Sequence, residues 1–293
     1  MNQKKIYITG ASHGLGLELT QMFLDEGSVV YTIDRDKHPL EGHERLHHTI
    51  ADLLKDKLVI PNEEFDIVIS NLGTYPGLKY FKELTDQDIE NSNKLNILIP
   101  TLLARNAAYK KIVFVSSVCS QLGFPMLGLY SGAKAYLALL NESLRREGIK
   151  TMIVFPYKFN SGMFDEVKDL FTMRTTDVAK AVMCGIKKEK KEIYLPWFSI
   201  ISPYFRILPT FLQDWIMKKT ASYFYGESMA RTITSNGILS CIQENNRNFT
   251  SKDGKKSNFC FTRNPFNLTT AVYIIFFSLM LYIGYKNYNI SID

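Results

Sequence analysis

Tyr130 and Lys134 stand four residues apart in Leu129-Tyr130-Ser131-Gly132-Ala133-Lys134, and Ser117 lies thirteen residues before the tyrosine. Positions i and i+4 of a helix share one face, so a phenol and an ammonium at this spacing can couple. An ammonium favours phenolate, and the spacing therefore predicts a Tyr130 pKa below the free value of about 10. A tyrosine tuned in this way can give or take a proton near neutral pH. Ser117 follows the apolar run Ile112-Val113-Phe114-Val115, which reads as a buried strand, and its hydroxyl could hydrogen-bond a substrate carbonyl or alcohol. Tyr-x-x-x-Lys alone is common and is equally the pattern of a surface pair on an amphipathic helix. What else the chain carries decides between the two.

The elements that must position these groups begin at the N-terminus. An alternating strand from Lys4 to Thr9 runs into Gly10-Ala11-Ser12-His13-Gly14-Leu15-Gly16, and a helical pattern with Leu15, Leu19, Met22 and Phe23 on one face follows. Strand, glycine turn and helix together aim backbone N–H groups and a helix N-terminus at a pyrophosphate. Gly10 permits the tight turn, and Gly14 and Gly16 permit close approach of backbone. The glycine turn from Gly10 through Ser12, His13, Gly14 and Leu15 to Gly16 is thus the expected phosphate cradle. A second strand ends at Asp34, eighteen residues beyond Gly16, close to the offset expected of a ribose-binding carboxylate. Asp34 favours NAD. Arg35, next in the chain, could instead pair with the 2′-phosphate of NADP. The acid at the strand end makes NAD the preferred expectation, with NADP possible.

Taken jointly, Thr9-Gly10-x-x-x-Gly14-x-Gly16, Asn71-Leu72-Gly73, Ser117 and Tyr130-x-x-x-Lys134 resemble the short-chain dehydrogenase/reductases, in their compact, single-domain branch, over residues 4–195. The resemblance implies a Rossmann-type fold, a nicotinamide cofactor, and hydride exchange between an alcohol and a carbonyl. It implies catalytic roles for Ser117, Tyr130 and Lys134, and a proton-relay role for Asn96. On the cofactor side it implies Asp52 near the adenine, Asn71 and Gly73 in the turn, Pro156 and Ser161 near the nicotinamide, and Tyr130 and Lys134 at the ribose. The chain departs from the family pattern at Leu72, where a small residue is usual. It departs again at Tyr157 and Ile99, where glycine is frequent, and at Ser161, where threonine is common.

Six apolar runs alternate with helical patterns, and a short seventh run closes the series: Ile6–Thr9, Val29–Ile33, His48–Ala51, Ile67–Ser70, Ile112–Val115, Thr151–Phe155 and Glu192–Leu195. Helices are expected at Leu15–Glu26, Asp86–Ala107 and Tyr130–Glu147. This alternation predicts an α/β, doubly wound parallel sheet with its ligand at the strand C-termini. The chain has 293 residues, 46% of them hydrophobic, with a net charge of +6. The basic residues form no aromatic-interleaved patch, so nucleic acid is not an expected partner. Four scattered cysteines suit a reducing compartment. His38, His43, His47 and His48 come with no ligand set at a recognised spacing, and no metal is expected.

Beyond the catalytic domain, 1–195, composition changes. Residues 196–219 are rich in Trp, Phe, Ile, Leu and Pro and read as a substrate lid or membrane-facing segment, or else as an ordinary core helix. Residues 220–265 read as a polar linker. Residues 266–285 are uncharged and long enough to span a bilayer, and the basic residues ahead of them place the catalytic domain on the cytoplasmic side. The chain is therefore expected to be a single-pass, tail-anchored membrane enzyme acting on a lipophilic substrate: a sterol, retinoid, fatty or sphingoid lipid. The family resemblance implies a homodimer or tetramer. A membrane-anchored adaptor that kept the fold and lost turnover is the alternative.

Overall fold

A computed structural model describes residues 3–164 and 172–225, with side chains to 221. Seven strands make one parallel sheet: β1 (Lys5–Thr9), β2 (Val29–Asp34), β3 (Leu46–Ile50), β4 (Glu64–Ser70), β5 (Ala108–Val115), β6 (Thr151–Pro156) and β7 (Glu192–Leu195). Their order is β3-β2-β1-β4-β5-β6-β7. The chain leaves β1 toward β2 on one side and returns to β4 on the other, so the C-terminal ends of β1 and β4 form the switch point where such sheets open a crevice.

Strand periodicity sorts the core into two layers. On one face Ile6, Ile8, Val113, Met152 and Val154 pack with Leu19 and Phe23 of α1 (Gly14–Asp25). Val178, Val182 and Ile186 of a further helix, Thr175–Lys187, complete that layer. On the other face Tyr7, Val68, Phe114 and Ile153 pack with Leu95, Leu103 and Leu137. Adjacent residues of one strand thus serve opposite layers, and a sheet buried on both faces needs its strands apolar throughout.

The structure corrects several sequence expectations. The helix expected over Asp86–Ala107 is α2 (Asp86–Asn93), a π-helical turn over Lys94–Leu98, and α3 (Ile99–Asn106). Strands β4 and β5 start earlier than their apolar runs because their first residues pair at the sheet edge, Glu64 with Ala108 and Phe65 with Tyr109. The third strand is Leu46–Ile50 rather than His48–Ala51, set by its register with β2 from Val30 to Asp34. The helix carrying Tyr130 and Lys134, α4, runs Gly128–Arg146. The helix α5, Thr175–Lys187, was not singled out in the sequence. A 3₁₀ run over Trp197–Ile207 and α6 (Thr210–Tyr225) occupy the expected lid segment, and α6 continues past the expected start of the linker at 220. The remainder of that linker and the span expected over 266–285 lie outside the described residues. Among the described residues no helix is long and apolar enough to cross a membrane.

Phe114 is fully buried on β5, one strand position before the segment that leads to Ser117. Phe114→Ala should destabilise the fold by about 3–5 kcal/mol, the usual cost of an emptied aromatic core site. A urea denaturation series on the two proteins checks this.

Candidate active site

The glycine turn forms at the C-terminal end of β1. Gly10 and Gly14 both have positive φ, 68° and 53°, which a side chain resists. Gly16 meets a harder limit, because a Cβ there would lie 2.0 Å from the Gly10 carbonyl oxygen. The turn is pinned to the next strand by Asn71, whose Nδ2 donates to the carbonyls of Gly10 at 2.7 Å and Thr9 at 3.2 Å. Leu72, the departure from the family pattern, packs against Gly10, with its Cα 2.9 Å from where a Gly10 Cβ would sit. Helix α1 starts at His13 without a side-chain cap and without an acid in its first turn. A cradle that only glycine fits, at an uncapped helix N-terminus, suits the pyrophosphate of a dinucleotide. Leu15 turns its side chain into the core, leaving its backbone to the turn.

At the end of β2 Asp34 is held in place. Its Oδ2 accepts from the Ser12 backbone N–H at 2.9 Å, and its Oδ1 accepts from that of Arg35 at 2.7 Å. The side chains of Arg35 and His13 are exposed and lie near Asp36, at 3.4 and 3.8 Å. Asp52 follows β3 and accepts from the Leu54 backbone N–H, which holds its carboxyl below the usual range. Ser161 lies against Gly14, its Cβ 3.6 Å from the position of a Gly14 Cβ, and Pro156 ends β6. Of the histidine group, His38 and His48 meet edge to face at 5.4 Å, and His48 also meets Thr32 and the Asp36 carbonyl.

Ser117, Tyr130 and Lys134 converge beyond β5. Ser117 caps a 3₁₀ turn, Val118–Ser120, with its Oγ accepting from the Cys119 N–H at 3.2 Å. Tyr130 and Lys134 sit in the first two turns of α4, 5% and 4% exposed. Lys134 Nζ donates to the Val115 carbonyl at 2.9 Å. Nζ and Asn96 Oδ1 both face Gly73, 3.2 and 3.1 Å from the position of a Gly73 Cβ. A side chain there would crowd both groups, which would have to give by a few tenths of an ångström. Asn96 is fully buried on the π-helical turn and fully engaged: Oδ1 accepts from Thr74 N–H at 2.8 Å, and Nδ2 donates to the Thr74 carbonyl at 2.9 Å and to Ser92 Oγ at 3.0 Å. The inserted residue of a π turn re-aims a side chain, and such turns concentrate at functional sites.

The electrostatics overturn one expectation. Burial pushes the Tyr130 phenol well above its ordinary value, a nearby Cys119 thiol adds to the rise, and the Ser117 hydroxyl opposes it. The same burial pulls Lys134 down to about 8. Both groups are out of water, and desolvation favours the neutral form of each. The ammonium is 5.7 Å from the centre of the phenol ring and spends its hydrogen bond on Val115. At neutral pH the pair is therefore a protonated phenol beside a protonated lysine.

Two residues that the sequence did not single out complete the site. The Tyr75 and Phe164 rings lie 4.5 Å apart, and both present edge-to-face contacts to Tyr130, at 6.1 and 5.2 Å. Tyr75 follows Gly73 by two residues, and Phe164 follows Ser161 by three. Proximity to turns already assigned to the cofactor was the only sequence signal either offered. Beside Tyr130 opens a cavity of about 240 Å³ walled by Phe81, Leu84, Phe124, Leu127 and Leu129, with Lys79 at its margin.

A glycine cradle, a carboxylate at the end of β2 and a buried Ser-Tyr-Lys group at the edge of a parallel sheet are features that suit a dinucleotide-binding oxidoreductase. A family model described as short chain dehydrogenase matches residues 4–170. The chain belongs to that family and is an NAD(P)-dependent oxidoreductase. It is similar to human 17-beta-hydroxysteroid dehydrogenase 13, at 26% identity over 69% of this chain and 77% of the relative. It is also similar to 3-ketodihydrosphingosine reductase of Bacteroides thetaiotaomicron, at 27% identity over 66% of this chain and 78% of the relative. Among solved structures it shares the fold of 4-hydroxyisoleucine dehydrogenase complexed with NADH, with TM-score 0.56 and 18% identity over 66% of this chain and 96% of that one. It likewise shares the fold of a Burkholderia cenocepacia J2315 short chain dehydrogenase in complex with NADP, with TM-score 0.54 and 18% identity over 70% of this chain and 94% of that one.

Burial of Lys134 has a measurable cost. A lysine whose folded pKa lies below its unfolded value binds fewer protons when folded, so stability rises with pH between the two values. The full penalty acts below about pH 8 and fades above it. Lys134→Met should raise thermal stability at pH 7, by an amount bounded by roughly 3 kcal/mol, and the gain should shrink at pH 9. Melting curves at the two pH values, with no nicotinamide added, check the sign. A gain that grows with pH contradicts the assignment.

Proposed function

We propose that this chain interconverts an alcohol and a ketone or aldehyde on a lipophilic substrate, a sterol, retinoid, fatty or sphingoid lipid, at a membrane. The observation that carries the reading is the convergence of Ser117, Tyr130 and Lys134 beside Gly73 and Asn96, at the sheet edge where the glycine turn opens. A nicotinamide held in that cleft supplies or accepts the hydride. Ser117 Oγ holds the substrate oxygen. Tyr130 gives that oxygen its proton, and its buried, protonated phenol suits carbonyl reduction. Lys134 holds the ribose and offsets charge that develops on the phenol oxygen. Asn96 keeps the Gly73–Thr74 turn in place beside the lysine and supports the proton path.

The rings of Tyr75 and Phe164 and the apolar cavity beside Tyr130 support a lipophilic substrate. So do the names of two relatives, a hydroxysteroid dehydrogenase and a ketodihydrosphingosine reductase. The carboxylate at the end of β2 supports NAD, and exposed Arg35 leaves NADP possible. The domain plan that goes with this reading is a catalytic domain over 1–195, a membrane-facing segment over 196–219, a linker, and a tail anchor over 266–285 with the catalytic domain cytoplasmic. The uncharged sequence of the last segment supports the anchor. A homodimer or tetramer is proposed from family membership. A buried ammonium that lowers stability has no use in an adaptor, which favours the enzyme over that alternative.

Tyr130→Phe should lower turnover by about 10²–10⁴-fold, the usual worth of a proton-transfer group, with nicotinamide binding retained. The assay follows nicotinamide absorbance with NADH and NADPH against a panel of lipid ketones, together with cofactor fluorescence titration. Turnover equal to wild type in the variant would remove Tyr130 from its role. A second variant addresses the cofactor. Asp34→Ser removes the carboxylate that repels a 2′-phosphate, and should shift the ratio of kcat/KM values toward NADPH by about tenfold or more, equivalent to about 1.4 kcal/mol.

A further inference from the structure

The segment that follows β7 is two-sided. Ser199 and Phe205 turn inward and are buried, and Ser199 Oγ donates to the Pro196 carbonyl at 2.8 Å. Trp197, Ile200, Tyr204, Ile207 and Phe211 turn outward, from 45% exposed at Trp197 to 78% at Ile207. They recur at steps of three, four, three and four residues, and they make up half of the exposed large hydrophobic residues described. An apolar surface this concentrated marks a contact face. Its composition fits a bilayer: Trp and Tyr favour the headgroup boundary, the aliphatic residues reach below it, and exposed Lys218 and Lys219 follow within two turns of the same chain. Arg206 and Asp214 are the only charges in 196–217. The chain also carries the uncharged stretch 266–285, which would bring this face to a membrane under the reading above.

We infer that the face from Trp197 to Phe211 lies in the interfacial layer of a lipid bilayer and holds the active-site loop against it. Arg206 Nε donates to the Gln121 carbonyl at 2.9 Å, and Gln121 ends the 3₁₀ turn that Ser117 begins. The outward face is therefore tied through one hydrogen bond to the loop of the catalytic serine. A lipid substrate could pass from the bilayer to Tyr130 without crossing water. The inference rests on the membrane location proposed above and adds a second, independent point of contact to the tail.

The only two tryptophans of the chain, Trp197 and Trp215, both lie in this region, so their fluorescence reports on it. The full chain carrying Trp215→Phe is reconstituted with vesicles of phosphatidylcholine and phosphatidylserine, with and without brominated acyl chains. Trp197 emission should shift to shorter wavelength on vesicles and lose most of its intensity to the brominated lipid. Adding Ile207→Asp and Phe211→Asp should reverse the quenching, raise KM for a bilayer-borne ketone several-fold, and leave kcat on a water-soluble ketone unchanged. Vesicle-bound protein whose Trp197 neither shifts nor is quenched overturns the inference and leaves the tail anchor and the reaction standing. Emission already shifted without vesicles and indifferent to brominated lipid overturns it in favour of a cover from the chain itself or a second copy. Turnover of lipid ketones tests the reaction independently of all these outcomes.

Discussion

Everything in the site depends on keeping one ammonium inside the protein. Lys134 is nearly inaccessible, and two elements bound its Nζ: the Val115 carbonyl at the end of β5, which accepts its hydrogen bond, and the bare backbone of Gly73 after β4. A cation in low dielectric is costly unless oxygen dipoles face it. The carbonyl of Val115 supplies such a dipole. A side chain at Gly73 would crowd that ammonium, and Ser116 Oγ fixes the helix that carries it by donating to the Lys134 carbonyl at 2.9 Å.

The buried pair has a direction built into it. Desolvation keeps the proton on Tyr130 and loosens the one on Lys134. A phenol that holds its proton is a poor base and a ready donor once negative charge develops on a substrate oxygen beside Ser117. The nearby Cys119 thiol, itself pushed up to about 11 by burial, stays neutral at physiological pH and so adds no competing anion. The electrostatic setting thus favours a protonated phenol. It follows from burial, which no spacing of two residues in a sequence can convey.

That is also where the sequence stopped being legible. The glycine turn, Asp34, Asn71, Ser117 and the Tyr130–Lys134 pair were readable because each is tied to a strand end or to a local spacing, and strand ends in a parallel sheet meet at one edge. The sign of the Tyr130 shift was misread because spacing shows a neighbour's charge but not the water lost by both groups. Tyr75 and Phe164 were missed because aromatic residues in loops carry no period, and their meeting over Tyr130 is made by tertiary structure alone. The early starts of β4 and β5 were missed because Glu64, Ala108 and Lys110 are unremarkable in hydropathy, and cross-strand pairing extends strands past their apolar runs. Helix α5 was passed over although Val178, Val182 and Ile186 have helical spacing, since it lies in the long connection to the last strand.

The two halves of the cleft obey opposite rules, and this is what the fold makes possible. On the side of β1, β2 and β3 the lining is backbone amide, carboxylate and exposed cation, suited to a charged, hydrated ligand. Around Tyr130 the lining is Tyr75, Phe164, Leu127 and Phe124, suited to an apolar one. Under the function proposed above, hydride and proton pass where these surfaces meet, at the C-terminal ends of β4 and β5. The polar half is built from the glycine turn and short strand-end segments, and so is largely fixed by the sheet. The apolar half is drawn from longer loops and the start of α4.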